Sequence, residues 1–224
     1  MMNSPLQTVQ YFPAPWQLKG TGYIFLCRFP QDFDERYAGL SALTATGFKG
    51  GLGTLMVVDY AESDAGPYQE LLFIPGRFSL GGQSCFHIPK IYVSSEASIV
   101  NGRRNWAIPK EQADMQFSRD GRQESVVFSQ GGQGKGRLQV STLPLRLPVT
   151  TLLLPPTLRT FIQPAETGLL KTVVRASGWA QPLRVTDIRF DADFFPPVQR
   201  EHILLGVKVP VFHMTFPEAE LLPV

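Results

Sequence analysis

Runs of β-branched and aromatic residues, cut at short intervals by glycine and proline, restrict the fold of this chain more than any other feature. Residues 22–29 (GYIFLCRF), 53–63 (GTLMVVDYAES) and 68–80 (YQELLFIPGRFSL) are apolar runs without helix caps, and each reads as a strand. Asp64, Gly66 and Pro67 punctuate the second and third runs as a hairpin turn. The run 85–93 (CFHIPKIYV) follows, and the glycine-rich reversal 131–136 (GGQGKG) joins QESVVFSQ to GRLQVSTLPL. Residues 169–190 and 203–216 supply late strands, so the chain carries roughly ten to twelve. That number favours a barrel or sandwich over a doubly wound sheet.

Helix signals are few. Residues 30–40 carry acidic groups in a first turn, which suits the positive end of a helix. Residues 94–102 (SSEASIVNG) have Ser94 or Ser95 as a cap, Glu96 in the first turn, and Asn101-Gly102 to close the helix. Residues 156–163 read as a short helix or a strand. The proline-rich stretches 143–156 and 194–198 suit edge or connecting positions, because proline cannot donate to a ladder.

The 224 residues suit one domain over 1–224. A formal charge of +2, with scattered basic residues, argues against nucleic acid or an anionic membrane as partner. Cys27 and Cys85 lie in apolar runs and read as buried free thiols. With three histidines and no C-x-x-C pattern, no metal site is expected. The N-terminus lacks the pattern of a signal peptide, and no apolar run reaches the ~18 residues of a membrane span. A soluble, cytoplasmic protein is the expectation.

Three side chains are candidates for chemistry. Lys110 follows Trp106, Ala107, Ile108 and Pro109 and precedes Glu111. An amine nucleophile must be neutral, and an apolar pocket penalises the ammonium. The competing reading is a surface lysine paired with an acid. Glu70, between Tyr68 and a run of apolar residues, either faces an interior and moves a proton or points to solvent. Arg28, at the end of the first strand, either grips a substrate carboxylate or is an exposed strand end. The glycines of 47–53 lack the order of a phosphate-binding loop.

The string GPYQE (66–70) followed by IYVSSEASIVNGRRNWAIPK (91–110) resembles the acetoacetate decarboxylase superfamily. Gly66, Tyr68 and Glu70, then Tyr92, Glu96, Gly102-Arg103 and Pro109-Lys110, carry the resemblance. It covers 65–112 well, 20–64 weakly, and little beyond strand content after 140. The resemblance implies a mainly β (α+β) fold: a cone-like antiparallel β-barrel or double sheet with a few short helices, often assembled as a homo-oligomer. It implies Lys110 as a Schiff-base nucleophile and Glu70 as its catalytic partner, acting on a small-molecule oxo compound with no cofactor. Acetoacetate decarboxylase is itself the standard example of a lysine activated by its surroundings. Arg28, Tyr68, Tyr92 and Trp106 are the candidate substrate-binding residues. Glu96, Gly102, Arg103 and Pro109 are structural, with Arg103 closing the helix onto a carboxylate such as Glu96.

Three departures stand out. Glu111 follows the lysine where the decarboxylases have a second lysine, Leu55 falls where they have a second glutamate, and Gly20 falls near their site arginine. These losses argue against acetoacetate and for decarboxylation, aldol, dehydration or related imine chemistry on another oxo compound. The alternative is a barrel that binds a hydrophobic ligand without turnover.

Overall fold

The computed structural model describes residues 9–30, 33, 36–37 and 47–222. In chain order, β1 (Trp16–Arg28), β2 (Phe48–Gly50), β3 (Leu52–Glu62), β4 (Tyr68–Ile74), β5 (Arg77–Leu80), β6 (Gln83–Phe86) and β7 (Lys90–Val93) precede the helix α1 (Glu96–Trp106). Then come β8 (Lys110–Gln112), β9 (Asp114–Asp120), β10 (Gln123–Gln130), β11 (Gln133–Thr142) and β12 (Leu147–Thr150). The last strands are β13 (Thr160–Ala165), β14 (Gly168–Val173), β15 (Arg175–Phe190), β16 (Ile203–Phe216) and β17 (Glu220–Leu222).

Two sheets share these strands. An 11-stranded sheet runs β8-β7-β4-β3-β1-β16-β15-β11-β10-β9, with β12 added beside β15. A six-stranded sheet runs β17-β14-β13-β6-β5-β2. Pairing is antiparallel except at β7–β8 and β13–β6. The mainly β class stands, in its double-sheet form; among the described residues the large ladder is open, ending at β8 and β9.

Strands outnumber the expectation because the chain repeatedly leaves one sheet for the other. The run 68–80 breaks at Pro75-Gly76 into β4 and β5, and 85–93 breaks before Lys90 into β6 and β7. The segment 156–163 is a 3-10 turn (Pro156–Leu158) followed by β13. The hairpin turns expected at Asp64–Pro67 and at the glycine-rich reversal are both present. Gly131 and Gly132 take positive φ (58° and 77°), as a two-residue hairpin turn requires. The helix expected at 30–40 lies largely outside the described residues.

Side-chain alternation gives the large sheet two unlike faces. One face sends Tyr23, Phe25, Leu55, Val57, Leu71 and Phe73 into a core shared with Phe128, Leu138 and Val185. Strands far apart in the ladder thus meet in one cluster, so the sheet curls around it. Each such side chain contributes about 1.5–3 kcal/mol on burial. The other face packs Trp16, Leu18, Val58, Tyr60, Tyr68 and Leu72 against Trp106 and Ile108 at the end of α1. A third cluster, Phe78, Leu80, Cys85, Ile162 and Leu169, belongs to the small sheet. Cys27 and Cys85 are buried free thiols, and burial pushes them up to about 12 and about 11.

Candidate active site

Lys110 is the first residue of β8, and its side chain is 4% exposed. Three features of the chain put it there. Helix α1 ends at Ala107, whose left-handed backbone (φ 52°, ψ 25°) turns the chain sharply back toward the sheet. Pro109 then centres a tight turn in which Lys110 N–H donates to the Ile108 carbonyl at 2.8 Å, and β8 pairs in parallel with β7, setting Lys110 beside Ile91. Arg103, from the last turn of α1, donates to the Lys110 carbonyl at 2.5 Å. It therefore clamps the lysine backbone rather than closing onto Glu96. Glu96 sits in the first turn, behind Ser95, whose hydroxyl caps Ser98 N–H.

The helix runs four residues beyond the expected stop at Gly102. Glycine is needed there for another reason. A Cβ at Gly102 would stand 2.7 Å from Lys110 Cδ and 2.8 Å from Cε, so the bare backbone is the trough in which the lysine lies. Ser98 and Gly102 are four residues apart and share this face of the helix.

The amine makes three contacts. Nζ donates to Ser98 Oγ at 2.9 Å, to Glu70 Oε2 at 3.2 Å and to Tyr68 Oη at 3.5 Å. Glu70, 4% exposed, also accepts from Tyr60 Oη at 3.1 Å. The faces of Tyr68 and Trp16 lie 4.9 and 5.9 Å from Nζ. Burial holds the Lys110 amine below its ordinary value, while the charge and hydrogen bond of Glu70 oppose that shift. Burial, with the Glu70 charge, pushes the Tyr60 and Tyr68 phenols well up, so both are neutral donors.

Glu111 does not touch this cluster. Its carboxylate pairs with Lys90 at 2.7 Å, because successive strand residues face opposite sides. The acid next to the lysine in sequence is thus not its electrostatic neighbour.

This group opens onto a cavity of about 1130 Å³. Lys110, Glu70, Tyr68 and Trp106 line it, as does Tyr60. Trp106 donates its indole N–H to the Pro217 carbonyl at 2.8 Å, leaving its ring as wall. Two expected contacts are absent from the lining. Tyr92 points into the opposite core, stacked on Phe194 (4.2 Å between centroids), with its hydroxyl donated to the Phe194 carbonyl. Its neighbour Ile91 faces the cavity instead. Arg28 is exposed at the end of β1 and does not reach the cavity. Leu55 also points into the opposite core, and the cavity-facing residues beside it are the apolar Met56 and Val58. At Gly20 a Cβ would stand 2.1 Å from the Asp59 carbonyl oxygen, so no arginine can occupy that position in this backbone.

Sequence reasoning missed Ser98 and Tyr60. Both were signalled: Ser98 by its four-residue spacing from Gly102, and Tyr60 by the hairpin register that sets it opposite Tyr68. A second buried pair was missed as well. Lys208 Nζ lies 2.7 and 2.6 Å from the Glu124 carboxylate oxygens, and Tyr23 donates to the same carboxylate. These residues do not line the cavity. Among the described residues no group of three or more histidine, cysteine, aspartate or glutamate side chains is placed to hold a metal ion.

Comparison with known proteins supports the fold independently. Residues 42–147 match the family model of acetoacetate decarboxylase. All the groups that contact Lys110 Nζ lie within that segment. No curated protein sequence matches at a significant level. An acetoacetate decarboxylase from Legionella pneumophila superposes with a TM-score of 0.68 at 13% identity, covering 99% of this chain and 92% of that one. An acetoacetate decarboxylase-like enzyme from Sphingomonas wittichii RW1 gives 0.66 at 14%, over 99% and 98%. The enduracididine biosynthesis enzyme MppR complexed with pyruvate gives 0.66 at 15%, over 97% and 94%.

Proposed function

We propose, from the premise that this chain belongs to the acetoacetate decarboxylase superfamily, that it is an enzyme forming a Schiff base between Lys110 and an oxo compound. The observation that carries this reading is the buried amine facing a large cavity, with a carboxylate 3.2 Å away to take its proton. Similarity to MppR, whose structure holds pyruvate, supports an oxo compound as the reacting partner.

The steps follow from the geometry. Glu70 takes one proton from the ammonium, leaving a neutral amine beside a neutral acid. Nζ adds to the carbonyl carbon, and one amine proton passes to the former carbonyl oxygen. Glu70 returns its proton to that hydroxyl, which leaves as water and gives the iminium. The iminium then draws electrons from a bond to the adjacent carbon, as in decarboxylation, aldol or dehydration chemistry. Tyr60 and Tyr68, held neutral, donate hydrogen bonds to the developing oxyanion or to Glu70.

Borohydride reduction in the presence of small oxo acids, aldehydes and ketones tests the proposal. It is expected to leave a reduced adduct at Lys110, read by peptide mass spectrometry, and Lys110→Arg is expected to abolish it. A broad panel that labels no lysine, across several pH values, counts decisively against the imine. The saturated contacts of Nζ favour one other reading, a ligand-binding protein of the same double-sheet fold in which Lys110 is a fixed ion pair. In that case Lys110→Arg retains ligand affinity and no adduct forms.

A further inference from the structure

We infer, on the imine reading, that the substrate is a long, uncharged, apolar ketone or aldehyde. Its carbonyl sits at Lys110 and its tail runs out along the cavity toward β12. Three observations converge on this.

The cavity is too large for a small oxo acid. Its volume of about 1130 Å³ exceeds the ~300–1,000 Å³ of drug-sized sites. Part of that room comes from one glycine. Val209, Gly22, Val58 and Glu70 form a single cross-strand row on the cavity face, and Gly22 contributes no side chain to it. Nothing stands closer than 3.6 Å to where its Cβ would be.

The deep part of the lining, around Lys110, holds no second cation for a substrate anion; His213, Thr150 and Ser177 line the cavity where it adjoins the neighbouring surface groove. Among the described residues Glu70 and Lys110 are the lining's only carboxylate and ammonium, and no guanidinium reaches it. A buried carboxylate would lie unpaired near Glu70, at a cost that apolar contacts do not offset. The rest of the wall is overwhelmingly aliphatic and aromatic.

The mouth is apolar too. Leu153 is 86% exposed and Trp179 55%, and both line the cavity, as does the exposed Val211. A tail that leaves the deep end therefore meets a mostly apolar path, broken only by Thr150, Thr151, Ser177 and His213. The basic Lys19 and Arg175 line a neighbouring surface groove instead, where Lys19 is already paired with Glu62.

The test is a series of methyl ketones, from acetone to a long-chain member, beside the matching long-chain 3-oxo acid. Binding is followed by tryptophan fluorescence and calorimetry, and trapping by borohydride. Each added methylene is expected to tighten binding about two- to fourfold, and the neutral ketone to bind at least about tenfold better than the matching acid. Lys110→Met is expected to keep this length dependence while losing the adduct. Should that variant not fold, Gly22→Leu fills the floor of the cavity and is expected to weaken long ketones at least about tenfold more than acetone. Length-independent affinity, or preference for the acid, overturns the proposal even when borohydride labels Lys110. Length-dependent binding with no labelling keeps the apolar ligand and removes the imine.

Discussion

At the scale of single residues, the site turns on how two opposed influences divide the Lys110 proton. Burial lowers the amine's pKa from 10.5, and Glu70 raises it. Adduct formation at Lys110 is therefore expected to increase with pH across a window lying below 10.5. Glu70→Gln removes the opposing influence, so the rising limb is expected to move to lower pH. A profile that stays put, or moves up, contradicts the electrostatic role assigned to Glu70. The same linkage has a stability counterpart. The folded value is depressed, so the unfolded chain binds more protons in that window and stability rises with pH there. Lys110→Met is expected to remove that rise, measured as Tm against pH. The nucleophile and this partner were legible from Pro109-Lys110 and from Tyr68-x-Glu70. What the sequence hid was facing: Tyr92 was expected at the site and Glu111 is the lysine's neighbour in sequence, and the register of β7 and β8 turns both away.

At the scale of elements, α1 acts as the mould for the lysine. Its capping at Ser95 was legible in the serine and acidic pattern, but its end was not. Asn101-Gly102 carries a local stop signal that packing overrides. Asn101 is fully buried, accepting from Phe12 N–H and donating to the Gln10 and Ala97 carbonyls. Those bonds fix the helix against the N-terminal segment and carry it on to Ala107. Gly102 is thus spared for the lysine's close approach, which no local propensity encodes. Gly102→Ala raises helix propensity by about 1 kcal/mol yet is expected to destabilise the fold by roughly 1–3 kcal/mol. It is also expected to slow borohydride trapping, because the lysine stem must shift. Urea unfolding and trapping rates check both. A stabilised variant with unchanged trapping means that Lys110 does not lie along this helix face. The strand ends were legible where glycine or proline marks a turn. The breaks at 75–76 and 87–89 were the exceptions: Pro75-Gly76 and Pro89 mark them, but the apolar runs on either side read through as one strand.

At the scale of the whole molecule, the described residues of the large sheet include two buried lysine–glutamate pairs on opposite faces, of which Lys110–Glu70 lines the large cavity and Lys208–Glu124 does not. Lys208 and Glu124 are 3% and 5% exposed, and Tyr23 completes their hydrogen bonding. A buried charge that loses its partner is costly, whereas removing both partners for apolar groups is often neutral. Lys208→Met is therefore expected to lose about 3 kcal/mol in urea unfolding, because Glu124 is left buried with only the largely exposed Arg119, 3.5 Å away, as a cation. Lys208→Met with Glu124→Leu is expected to recover most of that loss. Neither change touches the cavity lining, so both folded variants are expected to label Lys110 with borohydride at the unaltered rate. Recovery of stability with unchanged labelling separates the two faces of the sheet. A folded double variant that no longer labels would show that the second pair reaches Lys110 through the intervening strands, so that the two faces work as one unit.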